Sequence, residues 1–310
     1  MKFKEKIITI AVVFVLLLLM AGFGAFKPAA ASKKSGEADI TTDPKAEAAK
    51  VTSLAKLKKL GGIESRMPEN SAFVFFQSTL GTKLSSYKAY GSNEETLCAL
   101  RSGDIDAMWA CDVTADYICK KNADLTILPT EDMSDIENMD IPRLKFGMAL
   151  KDDEKHRKLC EDINLAMKKM RENGKMDVIV SRYIENADAM AEDNKEIPII
   201  TEADMKSKDL KGDTIYVGIS GAVEPLELLD NDRNPYGFCV AFMDEIGVNL
   251  QRKVKFVVLD NETIFTSLMS GRIDLVFTYG TGNVTVEGKK NYIMTDGYYT
   301  MDRYQFVVKK

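Results

Sequence analysis

One unit of sequence occurs twice in this chain. Asn93-Glu94 followed by Leu100-Arg101-Ser102-Gly103-Asp104-Ile105-Asp106 returns as Asn261-Glu262 followed by Leu268-Met269-Ser270-Gly271-Arg272-Ile273-Asp274. In each copy an amphipathic helix runs up to a small-residue stop, and the Gly supplies the left-handed conformation that closes it. An apolar strand follows, Met108-Trp109-Ala110 in the first copy and Leu275-Val276-Phe277 in the second. Two copies so far apart do not make a solenoid. They predict two similar α/β lobes, and two lobes predict a cleft that holds something. The alternative is chance likeness between two helix–Gly–strand units.

A chain of 310 residues has room for about two domains. Hydrophobic content of 45% beside 29% charged residues is ordinary for a protein that buries a core. The formal charge of −5, with acids and bases mixed, leaves no basic stripe for nucleic acid. Lys2, Lys4 and Lys6 precede an apolar run from Ile7 to Phe26, and small residues lead to Ser32. This pattern predicts an export signal over residues 1–31, cut after Ala31. Left uncut, a run of about 20 residues is long enough to anchor the chain in a membrane. Either outcome puts the remainder outside the cytoplasm. The five cysteines lack C-x-x-C spacing, and Cys98 and Cys160 fall among the apolar positions of predicted helices, which favours buried free thiols over disulfides. With His156 the only histidine, neither a zinc site nor any other cofactor is expected.

Residues 32–50 are rich in Ala, Lys, Ser and acids without apolar periodicity, and read as a tether. An α/β segment over 51–143 follows. Pro68-Glu69-Asn70-Ser71 starts a helix that keeps its spacing through Leu80 and stops at Gly81, although Phe73–Phe76 alone also reads as a buried strand, and Tyr87 to Tyr90 gives the next strand. After the polar stretch Thr130–Asp140 comes a strand at Leu144–Leu150. A helix with Leu159, Cys160, Ile163, Met167 and Met170 on one face ends at Gly174. This closing strand and its helices span 144–185. A polar linker occupies 186–212, and a second α/β segment covers 213–310: strand Thr214–Ile219, helix Phe238 to Leu250, strand Val254–Leu259, then the second copy of the repeat. Tyr298 to Val308 closes the chain as one more strand.

In this second segment, Ile215-Tyr216-Val217-Gly218-Ile219, Glu224-Pro225-Leu226, Tyr236-Gly237-Phe238, Leu268 to Leu275 and Thr295-Asp296-Gly297-Tyr298-Tyr299 follow one another. In that order and spacing they resemble the first lobe of family 3 of the bacterial extracellular solute-binding proteins, the polar amino-acid receptors of ABC importers. Ile63 to Leu128 resembles the family's second lobe, Lys145 to Lys151 its returning strand, and the helices through Tyr183-Ile184 its closing helices. The resemblance implies a two-lobed periplasmic-binding-protein-like fold (type II) with its halves exchanged. Circular permutation yields that order. So does fusion of the tail of one receptor to the head of another. Permutation is favoured because the two parts sum to one receptor.

The same resemblance implies which residues meet a ligand. Arg66, Asn70 and Ser71 would form an anion-binding corner at a helix start, although Arg66 also reads as a solvated turn residue. Asp112, one position beyond the family's usual carboxylate site at Cys111, would meet an ammonium. Trp109 reads as core or cleft wall. From the other lobe come Glu224, Tyr279 and Thr281. Where amino-acid receptors of the family carry an Arg for the ligand's α-carboxylate, this chain has Gly288, with Lys289 beside it as a charge without the planar fork. No catalytic set emerges, since a lone His without a Ser or Cys motif supports no nucleophilic mechanism. The expectation is a non-enzymatic protein that takes a small polar or charged solute between its lobes and hands it to a membrane permease. A membrane-tethered sensory or scaffold module of the same fold is the alternative.

Overall fold

The structure is a computed structural model, and it describes residues 51–63, 69–79, 83–129, 145–280, 291–301 and 304–310. The expected export signal, the tether and the loop at 130–144 lie outside the described residues. Among the described residues no helix is long and apolar enough to cross a membrane.

Two sheets form the body of the protein. The first, here the N-lobe sheet, contains β1 (Lys59–Ile63), β2 (Ser86–Tyr90), β3 (Ala107–Cys111), β4 (Leu125–Ile127) and β13 (Tyr304–Lys309) in the order β2-β1-β3-β13-β4. It carries helices α1 (Glu69–Thr79), α2 (Asn93–Ser102) and α3 (Asp112–Lys121). The second, the C-lobe sheet, runs β9-β6-β10-β5-β11 from β5 (Lys145–Lys151), β6 (Gly212–Ile219), β9 (Arg252–Val258), β10 (Leu275–Gly280) and β11 (Tyr292–Met294). Its helices are α4 (Glu154–Glu172), α5 (Lys175–Val180), α6 (Phe238–Leu250) and α7 (Asn261–Ser270), and a short β7–β8 hairpin (Leu228–Leu229, Pro235–Tyr236) stands beside it. This is the two-lobed α/β architecture that the repeat implies.

The two sheets share one plan. The strand that opens each lobe lies between two parallel neighbours, β1 between β2 and β3, and β6 between β9 and β10. An antiparallel strand from the other part of the chain is then inserted: β5 joins β10 and β11, and β13 joins β3 and β4. The single closing strand expected over Tyr298–Val308 is therefore two strands in two sheets. β12 (Tyr299–Thr300) pairs with β5, whereas β13 crosses to the N-lobe. The stretch 186–212 is polar yet packed. Met205 and Ser207 are buried, the Ser207 N–H donates to Asp244 at 2.7 Å, and Glu202 accepts the Phe256 N–H at 2.9 Å.

The repeated sequence acquires a structural reason. Gly103 and Gly271 have φ of 84° and 78°, and the next residues, Asp104 and Arg272, donate back to Ala99 and Ser267 in the same helix-closing geometry. The repeated aspartates then fix strand register. Asp106 N–H donates to the Lys59 carbonyl while its carboxylate accepts the Lys59 N–H at 2.8 Å. Asp274 makes the same reciprocal pair with Tyr216, at 2.9 Å each way. The residue after each Asp starts the parallel ladder, Ala107 opposite Leu60 and Leu275 opposite Val217.

Glycines in β1 serve a different purpose. The single indole, Trp109, lies over Gly62, where a Cβ would overlap it, and Trp109 Nε1 donates to the Tyr87 hydroxyl at 2.6 Å inside the N-lobe core. Burial pushes the Tyr87 hydroxyl up to about 12, outweighing the lowering effect of the indole N–H.

The two repeat aspartates differ in what surrounds them. The Asp274 side chain is 8% exposed and also meets Lys155 at 2.8 Å and His156 at 3.3 Å, whereas that of Asp106 is 22% exposed. Asp274→Ala should therefore cost about 3 kcal/mol, and Asp106→Ala about 1 kcal/mol. Urea unfolding midpoints check the ranking. Equal losses, or none, would contradict this account of the repeat.

Candidate functional site

Loops at the carboxyl ends of parallel strands are where α/β folds hold ligands. Here those of both lobes meet around a cavity of about 570 Å³. The N-lobe contributes Gly91–Glu94 after β2, and the C-lobe contributes the loop after β6 with Ser220 and Glu224, the Asp230–Arg233 turn of the hairpin, and Asp260–Glu262 after β9. Helices α2 and α7 both begin at this cavity, so the Asn-Glu pair that opens each repeat, Asn93-Glu94 and Asn261-Glu262, lines it. The loop after β6 is shaped by buried Glu227, which accepts the Ser220 and Gly221 N–H groups at 2.9 and 3.0 Å and the Ser220 hydroxyl at 3.2 Å. A smaller depression of about 240 Å³ beside Lys208, Lys253 and Lys255 lies along β9, away from the lobe contact.

The lobes touch at Glu224 and along α3. Asn93 Nδ2 donates to Glu224 Oε2 at 3.1 Å, and the Thr114 hydroxyl donates to the Glu224 carbonyl at 2.5 Å. Tyr117 packs with Ala187 and Leu228, and Lys120 donates to the Glu185 carbonyl at 2.7 Å. Thr114, Tyr117 and Lys120 recur every third residue and so share one helix face. Ala115 and Ile118 point the other way, into the N-lobe core.

Two features of the contact concern polar chemistry. Asn93 is 4% exposed, yet its Oδ1 is buried and accepts no hydrogen bond among the described residues. An unanswered buried acceptor costs about 1–3 kcal/mol. Glu224 is half-buried, and its carboxyl is raised to about 7, first by burial and then by Glu94, with Asn93 and Lys121 pulling the other way. Tyr117 and Tyr236 also face it, and burial is the main reason that both phenols titrate higher than usual.

The Glu224 shift has a definite sign. Because its folded pKa lies above the unfolded value, the folded protein holds the extra proton between about pH 4.5 and 7. The stability this confers is complete at the acid end of that window and is lost as pH rises to about 7. Glu224→Gln keeps an acceptor for Asn93 but does not titrate. The wild-type minus Glu224→Gln difference in unfolding free energy should fall across the window and stay flat above pH 7.5. A difference independent of pH would contradict the assignment.

Of the residues expected to meet a ligand, Glu224 lines the cavity. Asp112 starts α3, where its carboxylate accepts the Val113 N–H at 2.7 Å, and it lies outside the lining. Asn70 is exposed in the first turn of α1, the backbone of Ser71 continues that helix, and Tyr279 packs between Phe265 and Tyr292; none of these lines the cavity. Arg66, Thr281, Gly288 and Lys289 lie outside the described residues. Trp109 belongs to the N-lobe core. Cys98, Cys119, Cys160 and Cys239 are free thiols; Cys160 and Cys239 are buried, but Cys98 is exposed on α2, contrary to the apolar position expected for it. The cavity residues not anticipated, Asn93, Glu94, Asn261 and Glu262, carried a signal as the first letters of the repeat.

Comparison with known proteins bears on this geometry. Residues 215–310 match the family Bacterial extracellular solute-binding proteins, family 3. No curated protein matches the chain. Among solved structures, a ligand-binding component of an ABC-type import system from Staphylococcus aureus with zinc bound is similar at 11% identity and a TM-score of 0.39. That match covers 81% of this chain and 65% of the other, just under two thirds of its length. An ancestral arginine-binding protein bound to glutamine matches at 14% identity and a TM-score of 0.37, over 82% of this chain and 84% of that one. The periplasmic VFT2 domain of Bordetella pertussis BvgS matches at 10% identity and a TM-score of 0.37, over 81% and 80%. The family likeness is one of the C-terminal segment, residues 215–310.

Proposed function

We propose that this protein is an extracytoplasmic solute-binding protein that encloses a small polar or charged solute between its lobes and delivers it to an ABC-type importer in the membrane. The observation that carries this reading is the cavity of about 570 Å³ lined from both lobes at the starts of two repeat-related helices. Its volume suits a small molecule, and contacts along one face of α3 suit a hinge that opens and shuts. In this reading the N-terminal segment is an export signal, or an anchor if uncut, and the protein binds without catalysing. Of the two serines that line the cavity, Ser220 donates to Glu227 and Ser92 accepts the Glu95 N–H as the cap of α2, while His156 is buried between Asp153 and Asp274. The order of the halves is then a circular permutation of the family's. Support comes from the family match falling on the C-terminal segment and from the reciprocal insertion of β5 and β13, which makes two similar sheets from one chain.

A thermal-shift screen of the purified chain against amino acids, amines, small peptides and organic acids tests the proposal. A true ligand at 100 times its Kd should add about 2.7 kcal/mol of stability, a rise of a few degrees in midpoint for a chain of this size. It should also contract the particle in X-ray scattering as the lobes shut. Absence of any stabilising compound across all charge classes would count against solute capture.

A further inference from the structure

The lobe contact holds a chemical mismatch that one proton repairs, and this step rests on the reading of the lobes as jaws that open and shut. Asn93 opens α2 in the N-lobe and donates from Nδ2 to Glu224 Oε2 of the C-lobe at 3.1 Å. Both residues line the cavity, so their bond closes part of its wall. Asn93 Oδ1 is buried and has no donor among the described residues. It is bonded to the same carbon as Nδ2, so covalent geometry keeps it at the end of the side chain that meets Glu224. An ionised carboxylate only accepts, and leaves that oxygen unanswered. A neutral carboxyl has one O–H donor and one carbonyl acceptor, the complement of the amide's own pair.

We infer that Asn93 and Glu224 form a proton-operated latch between the lobes. With Glu224 neutral, its carbonyl oxygen accepts the Asn93 Nδ2–H and its hydroxyl donates to Asn93 Oδ1. Loss of that proton to water breaks the second bond and parts the lobes. The surroundings favour the neutral form. Glu94 faces Glu224 from α2, and Tyr117 and Lys121 face it from α3, where Thr114 donates to its backbone carbonyl. Tyr236 faces it from the β7–β8 hairpin. Behind these, Asp188 faces Tyr117, and Asp230 and Cys239 face Tyr236. Lys121 is the one described cation facing Glu224, and its Nζ is held by the Tyr117 hydroxyl at 3.2 Å. Burial and the Glu94 charge therefore prevail, and the Glu224 carboxyl is raised to about 7. Once ionised, Glu224 opposes Glu94 across the contact, and opening returns both Glu224 and Asn93 to water. The cleft is thus held shut on the acid side and freed as pH rises.

Small-angle X-ray scattering of the full chain across a pH series is the test. A carboxyl raised from 4.5 to about 7 in the shut form lets the open-to-shut ratio grow by up to about 300-fold over that interval. The radius of gyration should therefore rise between about pH 4.5 and 7 and stay level above. Glu224→Gln puts an amide opposite Asn93, which keeps both hydrogen bonds and does not titrate, so its radius should hold the acid value throughout. Glu94→Gln, at an exposed position, removes the facing charge, and its rise should level off at lower pH. A pH response that survives in Glu224→Gln, or a profile that Glu94→Gln leaves unmoved, would place the proton elsewhere and overturn the latch. A radius that ignores pH yet contracts with a compound from the thermal-shift screen would overturn the latch and leave solute capture intact. A radius that answers to neither would count against both.

Discussion

The insertion of β13 beside β3 is the contact on which the rest of the molecule depends. β13 is a buried antiparallel strand with Phe306, Val307 and Val308 at 1%, 0% and 2% exposure, and among the described residues it is the only ladder partner of β4. Its backbone satisfies the open edges of β3 and β4 together, which would otherwise stay unpaired inside the lobe. Helix α3 rests on β3, β4 and β13. That helix in turn carries the contacts to the C-lobe through Thr114, Tyr117 and Lys120. A strand from the far part of the chain thus supports the helix that holds the lobes together.

The same economy governs the cleft. Each repeat ends in an Asp that sets strand register and begins with an Asn-Glu pair at the cavity. One stretch of sequence therefore serves strand register at one end and lines the cavity at the other. Asn93 lies where the two duties meet. Its Nδ2 holds Glu224 across the lobes, and its Oδ1 is buried beside that contact without a donor among the described residues. Helix N-termini ordinarily attract negative charge, and the first turns of α2 and α7 carry Glu94 and Glu262.

Much of this was legible beforehand. Gly103 and Gly271 marked helix ends, the apolar runs around Trp109 and Val276 marked strands, and the doubled unit marked two lobes. Three things were not. Helix α3 escaped notice because its outward face, Thr114, Tyr117 and Lys120, makes sense only against the other lobe; alone it has no clear apolar stripe. The separation of β12 from β13 was hidden because a run of aromatic and β-branched residues says strand without saying which sheet. The cavity residues were overlooked because Asn93 and Glu94 read as ordinary first-turn helix residues, and their role depends on Glu224, which tertiary packing alone brings to Asn93.

The single tryptophan offers a direct view of the central strand. Trp109 stacks edge-on to Tyr304 at 5.0 Å between centroids and pairs with Phe306 across the β3–β13 ladder. Replacing Val307 with Pro removes a ladder N–H from the middle of that sheet. Fluorescence of the Val307→Pro variant should show Trp109 emission shifted to that of a water-exposed indole. Emission identical to the parent protein's would mean that β13 does not complete the N-lobe, and the account of two lobes locked by exchanged strands would be wrong.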